Sequence, residues 1–119
     1  MKDKLNILLL DCYKDRRDST ESFIRCCDEG SYCIDSKSSI DQYSYENNNY
    51  DIVFAHYGNK EVEESIRDSD WNSGKAVIIY FSGEFRKDRK YLNGKWYVSA
   101  SFIEKRKNIC MLLKDIIKI

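Results

Sequence analysis

The 119-residue chain has no proline, a single histidine, five glycines and no net charge, its 20 basic side chains balancing 20 acidic ones. That balance excludes a broadly basic nucleic-acid binder and a polybasic membrane-surface protein as first readings. No apolar run approaches the roughly 20 residues that span a bilayer. The N-terminal residues lack the longer apolar stretch and small-residue cleavage site of a signal peptide, so the expected location is cytoplasmic. The cysteines, Cys12, Cys26, Cys27, Cys33 and Cys110, are odd in number and form no C-x-x-C pair. Without neighbouring histidines they do not make a structural zinc site, and they are expected to be reduced and mostly core-filling. Neither a Walker A pattern nor G-x-G-x-x-G is present. Internal repeats and low-complexity segments are absent too.

What is present describes one folded unit. With 42% hydrophobic and 34% charged residues, the chain is neither disordered nor membrane-embedded. Residues 1–119 are expected to form a single domain, and a chain of this size buries roughly 65% of its unfolded surface.

Three apolar runs, Lys4–Leu10 (KLNILLL), Tyr50–Ala55 (YDIVFA) and Ala76–Phe81 (AVIIYF), end at Asp11, His56 and Ser82. Continuous runs of this kind are strands buried on both faces, as in parallel sheets under helices. Weaker strands are expected at Ser31–Ile34 and Lys95–Ser99. Between them lie helix signals. Asp18-Ser-Thr-Glu21 has the form of a capping box, with Gly30 placed to end that helix. A polar stretch, Ser38–Asn47, makes a poorer helix, and Asn59 is placed to cap another over Lys60–Asp68. Ser101-Phe-Ile-Glu104 opens the last helix, with Phe102, Ile109, Leu113 and Ile116 at helical spacing. The alternation predicts an α/β fold of the flavodoxin-like class, a three-layer sandwich around a mostly parallel five-stranded sheet of order 2-1-3-4-5. Asn93-Gly94 between two alternating segments predicts an antiparallel hairpin over 89–98, replacing or shortening a crossover helix.

In open parallel sheets ligands bind at the carboxyl ends of the strands, where Asp11, His56 and Ser82 fall. The layout KLNILLLD, YDIVFAH and AVIIYFS resembles the receiver domain of bacterial response regulators, the likeness weakening between Gly83 and Lys95. The resemblance implies acidic residues after the first strand, a phosphoryl-accepting aspartate ending the third, a hydroxyl ending the fourth and a lysine ending the fifth. Asp11 matches one of the acids, while Cys12 and Tyr13 supply no second one. His56 stands at the aspartate position and Ser82 at the hydroxyl. Ser99, Ala100 and Ser101 offer neither the lysine nor the proline that usually follows it. One carboxylate beside an imidazole is a poor site for Mg²⁺, a hard cation that takes oxygen ligands. Neither a metal nor a cofactor is expected. The implied protein is a pseudo-receiver, a phosphorylation-independent regulatory or adaptor module.

The same residues carry an alternative. His56, oriented by Asp11 and facing Ser82 or Ser99, sketches a hydrolytic triad, although Ser82 lacks the G-x-S-x-G elbow. Gly58 and Gly83, with Asn59, suggest a backbone cradle for a phosphate or nucleotide alongside Asp11, His56 and Ser82. Arg86, Lys87, Arg89 and Lys90 adjoin Tyr91, Trp96 and Tyr97. That mixture fits a protein partner best, with single-stranded nucleic acid as a weaker reading because Asp88 interrupts the run.

Overall fold

A computed structural model of the chain describes residues 5–27, 32–41, 44–45, 48–57, 76–92 and 94–117. The elements are β1 (Leu5–Leu10), α1 (Lys14–Arg25), β2 (Tyr32–Lys37), β3 (Ile52–His56), β4 (Val77–Ser82), β5 (Arg89–Leu92), β6 (Lys95–Ser99), α2 (Ala100–Ile103) and α3 (Arg106–Ile117). They build one six-stranded sheet in the order β2-β1-β3-β4-β6-β5. All neighbours are parallel except β5 and β6. The parallel strands keep the expected order, and the hairpin strand β5 adds an edge beyond it. No helix intervenes between β4 and β6; the chain turns back through β5 and Gly94, whose φ of 80° is open to glycine at little cost.

β1, β3 and β4 read as unbroken apolar runs because both of their faces are covered. On one face Ile7, Leu9, Phe54, Ile79, Phe81 and Val98 lie under Ile24 of α1, Phe102 and Ile103 of α2, and Ile109, Leu112, Leu113 and Ile116 of α3. On the other, Leu8, Leu10, Val53, Ala55, Ile78 and Tyr80 meet Tyr45, Tyr50 and Ala76, with Ile40, Tyr57, Phe85 and Tyr97 packed around them. Strand alternation sorts the two sets. Tyr50 also donates its hydroxyl to Asp35 of β2 at 2.6 Å, fastening the edge of that second face.

Three helix expectations are corrected. α1 begins at Lys14, not beside Asp18, because the Asp11 side chain accepts from the Tyr13 N–H and fixes the entry one turn earlier. Asp18 lies within the helix, paired with Lys14 at 2.7 Å. The cap of the C-terminal segment is Ser99 and not Ser101: Ser99 Oγ accepts from Phe102 N at 3.2 Å. The segment divides at Glu104 and Lys105 into α2 and α3, with Asn108 Nδ2 donating to the Phe102 carbonyl at 3.1 Å across the break. Of the polar Ser38–Asn47 stretch, Ser38, Ser39 and Ile40 are not helical, whereas Ser44 and Tyr45 are; the helix starts later than expected, where Asp41 Oδ1 accepts from Ser44 N. The Gly30 cap and the Lys60–Asp68 helix lie outside the described residues.

The cysteines also depart from expectation. Cys27, just past α1, and Cys110 of α3 form a disulfide, with Cα atoms 5.2 Å apart. Cys12, Cys26 and Cys33 are exposed thiols and fill no core. The bond thus cross-links the end of α1 to α3 over the sheet face that both cover.

α1 is also tied to β2. Glu21 accepts from the Ser36 hydroxyl and from Arg25, and these contacts hold its carboxyl below the usual carboxylate range. A depressed folded value stabilises the fold above the unfolded value near 4.5, and that stability is lost as pH falls through the folded value. Glu21→Gln is therefore expected to cost about 0.5 kcal/mol at neutral pH and nothing at the acid end, given the exposure of the site. Urea titrations across the acid limb check this; a pH-independent difference contradicts it.

Candidate functional site

The carboxyl ends of the parallel strands carry Asp11, His56, Ser82 and Ser99. Asp11 follows β1 and is fully buried. Arg16, in the first turns of α1, reaches back and grips its carboxylate with both arms of the fork, Nε at 2.5 Å and Nη2 at 2.7 Å. The Tyr13 N–H adds a third donor at 3.0 Å, and Arg17 donates to the Asp11 carbonyl at 2.7 Å. Hydrogen bonding to Asp11 raises the Arg16 pKa above its ordinary value. The Arg16 guanidinium carbon lies over the Tyr13 ring, 5.3 Å from its centre.

His56 ends β3 in register with Phe81 and meets that ring edge-on at 5.4 Å. Alternation puts it on the sheet face of Phe54, under the helices. Ser82 leaves β4 on the face of Ile78 and Tyr80, and its Oγ accepts from Glu84 N at 3.1 Å. Ser99, its β6 neighbour in register, is engaged as the α2 cap. Hence both candidate nucleophiles leave their strands on the face opposite His56, each with its hydroxyl bound to local backbone. Gly83 is not in the left-handed region, and a side chain there would meet nothing within 4 Å, so no backbone cradle requires it. Gly58 and Asn59 lie outside the described residues.

The basic and aromatic residues of 86–97 do not form one patch. Register pairs Arg89 with Val98, Lys90 with Tyr97, Tyr91 with Trp96 and Leu92 with Lys95. On the helix side, Tyr91 meets Trp96 in a tilted ring contact at 5.0 Å, and Arg89 lies over the same indole while pairing with Asp115 of α3 at 2.7 Å. On the opposite side, Arg86, Lys87 and Lys90 surround a cavity of about 280 Å³ walled by Phe85, Tyr97 and Glu84. Phe85 and Tyr97 belong to a ring cluster with Tyr57 and Tyr80, and Lys95 rests over Tyr80 at 5.7 Å. Burial and the neighbouring Tyr57 raise the Tyr97 pKa.

Two solved structures match nearly the whole chain. A response regulator from Thermotoga maritima superposes with a TM-score of 0.67 at 12% identity, covering 98% of this chain and 99% of that one. An orphan response regulator of H. pylori gives 0.62 at 13% identity, over 97% and 98%. The chain has the receiver fold. No family model matches it, and no curated protein matches its sequence.

Within a receiver fold, the ends of β1 and β3 are where a phosphorylation site and its Mg²⁺ would lie. The residues here do not fit that ion. Among the described residues Asp11 is the one carboxylate at the place, and a guanidinium already takes both of its oxygens. Among the described residues no group of three or more His, Cys, Asp or Glu side chains converges. Arg16 was not evident as a site residue, although a signal existed. Arg16 and Arg17 stand at the positive end of a helix dipole, an unfavourable place for cations unless a carboxylate holds them. Phe85, which walls the cavity, carried no comparable pattern.

Proposed function

We propose that this chain is a regulatory or adaptor module that works without phosphorylation and binds a protein partner through the β4–β5 turn and the hairpin. One observation carries the first half of this reading: the buried Asp11 carboxylate is neutralised internally by Arg16, leaving it no capacity for a cation. His56 in the acceptor position, in ring contact with Phe81, agrees with it. The division of Ser82 and Ser99 from His56 across the sheet favours this reading over a hydrolase. Cations and aromatics concentrated on the hairpin, in an otherwise neutral chain, support the second half. Acetyl phosphate with Mg²⁺ is expected to leave the intact mass unchanged. A stable gain of one phosphoryl group overturns the proposal.

A further inference from the structure

β5 is the terminal strand of the sheet, and its outer side is open among the described residues. The pairing shows which backbone groups face outward. Ser99 N donates to the Asp88 carbonyl at 3.1 Å, which makes Asp88 and Ser99 a hydrogen-bonded pair. In an antiparallel ladder such pairs alternate. Lys90 with Tyr97 and Leu92 with Lys95 are therefore the next bonded pairs, and the N–H and C=O groups of Arg89 and Tyr91 point away from β6.

The two sides of this edge differ in chemistry. Arg86, Lys87 and Lys90 are exposed around the cavity, and among the described residues none has a carboxylate within ion-pairing distance. Glu84 is the single acid in that lining. On the helix side, Arg89 is neutralised by Asp115, and Tyr91, 60% exposed, presents an apolar ring. Leu92, paired with Lys95 and so on the side of Lys90, adds exposed apolar surface at the strand end. An added strand alternates its side chains between these two sides.

We propose that β5 accepts an extended acidic segment of a partner protein as a further strand. Its backbone pairs with Arg89 and Tyr91. Its carboxylates point toward Arg86, Lys87 and Lys90 over the Phe85–Tyr97 wall, and its alternate apolar side chains lie on Tyr91. Main-chain pairing supplies affinity and the alternating sides supply selection. A second copy of this chain is disfavoured at this edge, because antiparallel pairing of two β5 strands would set the side carrying Arg86, Lys87 and Lys90 against the same side of its partner. The inference deepens the partner-binding reading above and rests on it.

The test uses a short peptide alternating glutamate with leucine, titrated against the full chain by fluorescence anisotropy. It is expected to bind at least about ten-fold more tightly than a scrambled peptide of the same composition or one with lysine for glutamate. The double variant Lys87→Glu, Lys90→Glu is expected to lose about ten-fold while keeping the thermal midpoint, both side chains being exposed. N-methylation of the peptide amides along one edge is expected to cost a similar factor by removing the strand pairing. Equal binding of the scrambled peptide, or indifference to N-methylation, overturns strand addition. Equal binding of the lysine peptide overturns acidic selection. Binding of phenyl phosphate alone as tightly as the peptide assigns the cavity to a small anion and overturns the proposal. The acetyl phosphate result is independent of all of these, so failure here leaves the phosphorylation-independent reading standing.

Discussion

Asp11→Ala is expected to destabilise the fold by about 3 kcal/mol, since removing one partner of a buried ion pair strands the other. The loss is compound. Arg16 loses both of its bonds, Tyr13 loses the acceptor that opens α1, and a wholly buried site is left partly empty. The thermal midpoint should fall by about 10 °C. A metal-binding acidic site behaves in the opposite sense, because its carboxylates repel one another until the ion arrives and losing one relieves the strain. The sign of the change therefore distinguishes the two arrangements. Arg16→Met should also destabilise, whereas Asp11→Leu with Arg16→Met should recover much of the loss, the apolar pair needing no desolvation. Urea unfolding of the four proteins, with and without Mg²⁺, measures this. Stabilisation by Asp11→Ala, or a midpoint of the parent chain that rises with Mg²⁺, contradicts the assignment.

Reduction of the Cys27–Cys110 bond is expected to have a comparable effect. The cysteines are 83 residues apart, so the bond closes most of the chain into one loop. A chain-entropy model gives about 4.5 kcal/mol for a loop of that length, as an upper figure. The half-buried helix contact it spans gives no separate reason for α1 and α3 to part, so the loss should appear as a lower midpoint with an unchanged fold. Thermal melts with and without dithiothreitol check it, in a Cys12→Ser, Cys26→Ser, Cys33→Ser background that prevents exchange through the exposed thiols. Adding Cys110→Ser should reproduce the reduced midpoint without dithiothreitol. Coincident melts in the two conditions contradict a stabilising cross-link.

The sheet was legible in the sequence because its causes are local and periodic. Runs ending at Asp11, His56 and Ser82 announce strands covered on both faces, and Asn93-Gly94 announces the hairpin. The misplaced helix starts share one cause. Asp18-x-x-Glu21 and Ser101-x-x-Glu104 satisfy the capping pattern, but α1 starts from Tyr13, whose N–H is held by Asp11 just past β1, and Ser99 at the end of β6 caps α2. A strand end held in the sheet is already fixed, so its side chain captures the next free N–H before a downstream residue does. The candidate site was legible by position and not by partnership. Asp11 was found; Arg16, which determines what Asp11 does, was not, because the bond depends on where α1 begins. The hairpin residues were found as a group, yet period-two alternation separates Arg89, Tyr91 and Trp96 from Lys90 and Tyr97. The cysteine pairing joins distant segments and leaves no local trace.

The turn through Gly94 also changes how the sheet is assembled. A parallel neighbour is ordinarily reached through a crossover of a dozen or more residues, whose closure must precede any pairing. Here β6 arrives already paired to β5, and hairpins of this kind close in roughly 1–10 μs. The outer part of the sheet thus has short-range contacts, while β1, β2 and β3 depend on distant ones. Search for the native register is shortened at one edge, and β4 receives a preassembled ribbon rather than a lone strand.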